Sequence, residues 1–459
     1  MIKQLQRLMV FLLLLSGWLS AFLVTGLFGR TSLYLLLPVF LLGSGMGLML
    51  KLTHIRATVL TLAVTAIAAL ALLNQFFPQH TPRLSALKGT PPDFFPASIE
   101  VPVVDELSAF MTERSLASSS TVTIQLIARL PAPARRMLIV DDRMYVTLSD
   151  LGAIYLIDQI STGQPSEHPI LYHSGLDRPF GLAFSNGRLF VAEPYQVLEL
   201  IDTSLDLLVD TEKILLDGLP DDGGHWMRAL TSDSDGFLYL SIGSRCNACE
   251  EEDQRRATIV RIDPDTGETR EFAYGLRNSL GLAVAPDTGQ LWATDISREL
   301  QGRVPPPDEL NRISAGEHYG WPYCYGQQTP DPLLGLEHLC RDSVPATVDL
   351  PPLCRPMGLV FGSSLAAPEE YRNSIYLLCG GSSYRASHPG PKIIRLPYDQ
   401  GTISGPVMDF VRGWDPEWGA PIALAVSEQG DLFFSDEQSQ AIYRVRWPVA
   451  TKQGLEQGR

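Results

Sequence analysis

Three polar side chains stand at one recurring point of this chain, directly ahead of a short apolar strand. His225 lies in Gly223-Gly224-His225-Trp226-Met227-Arg228, and Arg277 and Asn278 lie in Tyr274-Gly275-Leu276-Arg277-Asn278-Ser279. If the units that follow them pack side by side, an imidazole, a guanidinium and an amide face one another. Such a set can take a proton from a substrate hydroxyl and steady the negative charge that develops. Each residue also has a plainer reading: a surface histidine, and a turn in which asparagine supplies an unusual backbone angle.

The six cysteines are the other residues with chemistry of their own. Cys246 and Cys249 form a C-x-x-C directly after a strand. Zinc would want a second pair at similar spacing, and a thioredoxin-like centre would want a βαβ context. Neither is present in the sequence, so a local disulfide is expected. Cys324, Cys340, Cys354 and Cys379 allow two further bridges in three ways, and the short loop from Cys324 to Cys340 is the preferred one.

The elements that must hold these residues repeat along the chain. A small or proline-containing turn leads into an apolar strand, then a Gly or Asp turn, then a second strand ending in small polar residues. Clear copies are 178–192, 227–241, 281–295 and 422–436, and weaker ones are 138–147 and 357–378. Six units at this spacing predict an all-β fold, a six-bladed β-propeller over 120–447 with a tail at 448–459. The strand 122–126 is expected to close the ring by pairing with the last blade. Polar residues at the inner ends of the strands then gather around the central channel, where a ligand would bind.

The first eighty residues differ in kind. Three apolar stretches, about 8–28, 33–49 and 58–77, each have the length of a transmembrane α-helix. A secretory signal would account for the first but not for the next two. Lys3, Arg7, Lys51 and Arg56 lie on one side of the expected crossings and Arg30 on the other, which places the N-terminus inside. The expectation is a multi-pass anchor in a cell inner membrane, a linker over 81–119, and a propeller on the periplasmic side. The formal net charge of −15 argues against a nucleic-acid partner held on basic patches.

From His225 onward the sequence resembles the sorbosone and glucose dehydrogenase family, the six-bladed propellers that use pyrroloquinoline quinone (PQQ). The similar words are 238–244 with 246–251, 255–261, Gly275-Leu276-Arg277-Asn278, Asp308-Glu309-Leu310-Asn311-Arg312-Ile313 and His318-Tyr319-Gly320-Trp321-Pro322-Tyr323-Cys324-Tyr325-Gly326. The resemblance implies that His225 is the base and that Arg277 and Asn278 lie over the cofactor and stabilise its reduced form. It implies a calcium ion held by backbone carbonyls, here those of Ser297 and Arg298. It also implies cations around the cofactor's carboxylates, for which Arg385 and Lys392 are the candidates, with Arg395 equally readable as an exposed strand residue. The substrate class would be a sugar, alcohol or aldehyde, and the electron acceptor a membrane quinone or cytochrome.

The chain departs from the family's words at two places. Relatives tend to read Asp-Asn-Gly-Arg where this chain has Asp295-Ile296-Ser297-Arg298, and many read His-Gly-Ser-Trp-Asn-Arg where it has Gly380-Gly381-Ser382-Ser383-Tyr384-Arg385. Two other readings therefore stand beside the dehydrogenase. One is a cofactor-free propeller acting as a binding scaffold. The other is a calcium-dependent lactonase-type hydrolase, to which Asp295 and Glu193 would contribute.

Overall fold

The computed structural model describes residues 95–96, 98–100, 116–162, 169–298, 305–335, 337–381, 390–414 and 419–448. The apolar stretches expected to cross a membrane lie outside these residues. Among the described residues no helix is long and apolar enough to do so.

Six antiparallel sheets follow one another along the chain. Blade 1 has the strands Arg136–Val140, Arg143–Leu148, Ala153–Ile157 and Ile170–Ser174. Blade 2 has Leu182–Ser185, Arg188–Ala192, Val197–Ile201 and Thr211–Leu216. Blade 3 has Leu230–Ser232, Leu238–Ile242, Thr258–Ile262 and Thr269–Tyr274. Blade 4 has Leu282–Val284, Leu291–Asp295, Asp308–Ile313 and Val348–Leu350. Blade 5 is built on Pro356–Phe361, Ser374–Cys379, Lys392–Asp399 and Met408–Arg412, and blade 6 on Pro421–Val426, Leu432–Asp436 and Ala441–Arg446. The first strand of each blade touches the first strands of its two neighbours, so these strands line a closed ring.

The ring closes as the sequence suggested. Thr123–Arg129 is the fourth strand of blade 6, with Arg129 opposite Ala441 and Thr123 opposite Arg446. Part of the expected linker also joins the sheets. Phe95–Pro96 and Ala117–Ser118 extend blade 5, and Ser98–Glu100 runs parallel to Thr123–Arg129. An outer strand presents unpaired N–H and C=O groups, which makes it a ready template for passing chain.

Burial explains the strand sequences. Second strands lie between neighbouring blades and are covered on both faces, so Leu291–Asp295 is buried at every position. Outer strands face water, and Thr211–Leu216 is largely exposed. Apolar side chains fill each gap between blades, for example Trp292, Leu310, Ile375 and Leu377 between blades 4 and 5. All six cysteines pair, as Cys246–Cys249, Cys324–Cys340 and Cys354–Cys379. The C-x-x-C disulfide and the preferred short loop are both present.

The small polar residues that end the second strands have a structural task. Thr294 Oγ1 accepts the Gly281 N–H at 2.9 Å and donates to the Pro356 carbonyl of the next blade at 3.1 Å. Ser435 Oγ accepts the Ala423 N–H and donates to the Ala134 carbonyl of blade 1. Thr147 Oγ1 reaches the Phe180 carbonyl of blade 2. The Thr294 and Ser435 hydroxyls each tie their own inner strand to the neighbouring one, deep in the ring. Thr294→Val keeps the shape but strands a buried N–H and a buried carbonyl, so it will cost about 3 kcal/mol of stability. Denaturant unfolding checks this, with Thr294→Ser, which keeps the hydroxyl, expected to lose little stability.

Candidate active site

The face of the propeller at which the inner strands begin gathers the residues picked out by sequence. His225 precedes the inner strand of blade 3, and Arg277 and Asn278 precede that of blade 4. A methyl group placed on Gly243 would stand 2.7 Å from His225 Cβ and 3.2 Å from Asn278 Oδ1, so both side chains crowd one point. Gly243 ends this way because a larger residue would push them apart.

His225 is held in one tautomer. Its Nδ1 lies 2.9 Å from the Ser244 carbonyl, which only accepts, so Nδ1 carries the proton. Ser244 Oγ is 2.8 Å from the same nitrogen and donates to the Cys246 carbonyl. The lone pair is thereby left on Nε2. Burial, and then the nearby Arg277 guanidinium, push the imidazole down to about 4, so it is neutral at ordinary pH. A neutral imidazole with a free Nε2 is a base.

Two buried guanidiniums frame this histidine. Arg228 donates to the carbonyls of Pro194, His225 and Pro220. Arg256 donates to the Gly243 carbonyl and binds Asp222. They fix the backbone on either side of the imidazole and add to the positive potential that keeps it unprotonated.

The Arg277-Asn278 turn is wrapped around a single carboxylate. Asp295, at the end of its strand, accepts the Arg277 N–H at 2.8 Å, the Asn278 N–H at 2.6 Å and the Ser279 hydroxyl at 3.2 Å. The Arg277 guanidinium then reaches Asn247 inside the disulfide loop, at its carbonyl and its Oδ1, and the Ile296 carbonyl at 2.9 Å. The Cys246–Cys249 bridge therefore positions the guanidinium through Asn247. Replacing both cysteines with serine will loosen that contact and weaken binding of an anionic ligand about tenfold, roughly 1.4 kcal/mol, measurable by calorimetry with blade structure unchanged by circular dichroism.

The remaining sequence candidates fall differently. Lys392 opens the third strand of blade 5, and its ammonium sits on Asp409 of the next strand at 2.6 Å. Its charge is committed there and is not brought to His225. Arg395 is buried rather than exposed, stacked over the Tyr371 ring and bonded to the Glu370 carbonyl. Arg385 lies outside the described residues. Ser297 and Arg298 follow Asp295, as expected, but the Ser297 carbonyl already lies 3.5 Å from Arg277 Nη1. Arg298 turns its side chain to Asp331. Asp295 and Glu193 are both committed to backbone N–H groups, the latter to that of Asp177.

Sequence reasoning missed Ser244, which sets the tautomer, and two cations at or just ahead of other inner strands. Arg355 precedes the inner strand of blade 5, exposed, with its N–H on Asp308. Arg136 begins the inner strand of blade 1. For Arg355 the signal was the blade repeat, since it too lies just ahead of an inner strand, whereas Arg136 lies opposite Thr147, the place of Gly281 rather than of Arg277.

The residues present fit an anionic, hydrogen-bonding ring. Asn278 Oδ1 is buried with no partner, Nε2 of His225 has none among the described residues, and cationic groups surround both. They fit a divalent cation less well, because a fixed guanidinium already faces the Ile296 and Ser297 carbonyls.

Fold and site together define a six-bladed propeller with a candidate acid–base centre at the mouth of its channel. Residues 196–332 match the family described as Glucose / Sorbosone dehydrogenase, and the resemblance read from the sequence stands. An uncharacterized protein of Borreliella burgdorferi is 28% identical over 217 residues, 45% of this chain and 56% of its own. The aldose sugar dehydrogenase YliI of Escherichia coli is 27% identical over 116 residues, 22% of this chain and 29% of its own. The chain thus spans little more than half, or less, of the length of these curated relatives. The holo PQQ domain of pyranose dehydrogenase from Coprinopsis cinerea superposes with a TM-score of 0.63 at 15% identity, covering 77% of this chain and 100% of that domain. That likeness shows the fold.

Proposed function

We propose that this protein is a membrane-anchored, extracytoplasmic quinoprotein dehydrogenase that oxidises a sugar, alcohol or aldehyde. The observation that carries the reading is the neutral, tautomer-locked His225 beside Arg277 and the buried, unpartnered Oδ1 of Asn278. The family match over 196–332 supports it. What PQQ supplies when bound is two-electron acceptance. His225 Nε2 takes the substrate hydroxyl proton as the carbinol carbon is oxidised. Arg277 and Asn278 hold the ring in place and offset negative charge on it. Calcium on the Ser297 and Arg298 carbonyls, which the resemblance implies, is opposed by the Arg277 guanidinium already facing the Ser297 carbonyl, and no step is derived through it. The anchor would keep the site close to a membrane quinone or cytochrome.

Protonation of His225 removes the base, so turnover will rise as pH increases through about 4 and stay level across neutrality. Stability follows the same group. Its folded pKa lies below its unfolded one, so the folded state loses ground as pH falls from 6.5 through about 4. A pH–rate profile, read alongside unfolding at each pH, separates the two effects.

The test is reconstitution of the full chain in detergent with PQQ, with and without calcium, followed by a sugar, alcohol and aldehyde panel and a dye acceptor. Calcium-dependent turnover supports the reading in full, and calcium-independent turnover removes only the metal. Absence of both binding and turnover would leave a cofactor-free scaffold, which the commitment of Asp295 and Glu193 to backbone N–H groups favours over a lactonase.

A further inference from the structure

Arg136 is the first residue of the innermost strand of blade 1, opposite Thr147 in the sheet. Its side chain crosses the channel to the far side of the ring and donates to the Leu280 carbonyl at 3.3 Å. Leu280 leads into blade 4, two residues after Asn278, so the guanidinium ends on the backbone segment that carries Asn278. It is only 7% exposed.

Its surroundings set it apart from the other buried guanidiniums. Arg228 is spent on three carbonyls, while Arg256, Arg298 and Arg444 each have a carboxylate. Arg136 has one long hydrogen bond, and no acidic group within ion-pairing distance among the described residues. Burial alone, with no charged neighbour, pushes it down to about 10. A buried cation without an anion is costly, and it is strongly felt by any charge that comes near in so dry a place. The fold makes little use of this charge.

We infer that Arg136 is the counter-charge of the site, stabilising the negative charge that a ring bound over Asn278 acquires on reduction. This rests on the quinone reading above. Oxidation of a carbinol removes two electrons and two protons from the substrate. One proton passes to His225 Nε2, and the other leaves with the electron pair as hydride, so the acceptor ends one unit more negative. A fixed cation on that segment would favour the reduced form over the oxidised one, and so raise the potential of the bound couple.

The experiment compares Arg136→Met and Arg136→Lys with the wild-type full chain, apo and loaded, measuring affinity for oxidised and reduced PQQ and the midpoint potential of the bound couple. Arg136→Met should weaken the reduced form about tenfold more than the oxidised one, a fall of about 30 mV for a two-electron couple. Arg136→Lys should keep most of the wild-type difference. Apo Arg136→Met should unfold at the same or higher denaturant concentration, because a buried unpaired charge has been removed. Equal losses for both forms, or an unchanged potential, would overturn the inference while leaving the quinone reading in place. Marked destabilisation of apo Arg136→Met would make Arg136 a structural clasp and overturn it as well. A wild-type chain that binds neither form would remove the quinone reading and this inference together.

Discussion

Exchanging His225 for glutamine will lower turnover of the PQQ-loaded protein by about 10²–10⁴-fold, the usual worth of a positioned general base. Cofactor affinity should change no more than a few-fold. Glutamine is close to histidine in volume and reach, so the packing beside Gly243 survives. What it lacks is a basic nitrogen where Nε2 stands. Stopped-flow mixing of loaded protein with substrate gives the chemical step directly, and calorimetry gives the affinity. A variant that binds and turns over as the wild type does would place the base elsewhere.

The second large effect will come from Asp295→Ala, by a different route. Asp295 touches no expected substrate, yet it accepts two backbone N–H groups and a hydroxyl from consecutive residues of the Arg277 turn. Removing it leaves three buried donors without an acceptor, at a cost of about 3 kcal/mol or more. The turn will shift and carry Arg277 and Asn278 with it, so PQQ affinity will fall more than tenfold. Asp295→Asn tests the same idea by geometry, since an amide nitrogen would confront an N–H. Burial raises this carboxyl from 3.8 to about 6, against the pull of its N–H partners. The acid form is therefore the one favoured by folding, and the stability it confers, full below about pH 4, is lost as pH rises through 6. The wild-type advantage over Asp295→Asn should accordingly shrink between about pH 4 and pH 6 and stay level above.

Much of this architecture was legible because a propeller repeats. Each blade writes the same short sentence of turn, apolar strand, turn and polar-ended strand. That fixed the blade number, the closure through 122–126, and the alignment of His225 with Arg277. The polar ends of the second strands were visible too, although their role as ties between blades appears only when Thr294 is seen to reach Pro356. The Cys324–Cys340 bridge was favoured by its short loop.

What stayed hidden depends on register and on distance across the ring. Lys392 looked available until the neighbouring strand placed Asp409 beside it. Arg395 stood open between a cofactor cation and an exposed strand residue, because nothing local announces that Tyr371 covers it. Arg136 was invisible as a site residue because its partner carbonyl lies 144 positions away on the opposite blade. The short strands at 95–100 were read as linker, since so little sequence carries no period to detect.

The most direct measurement is a calorimetric titration of the full chain with PQQ, repeated on Arg277→Ala and His225→Gln. Saturable binding to the wild type, weakened at least tenfold by Arg277→Ala and nearly unchanged by His225→Gln, is the predicted result. No binding to the wild type, or binding indifferent to Arg277, would contradict the claim that these residues form a cofactor site.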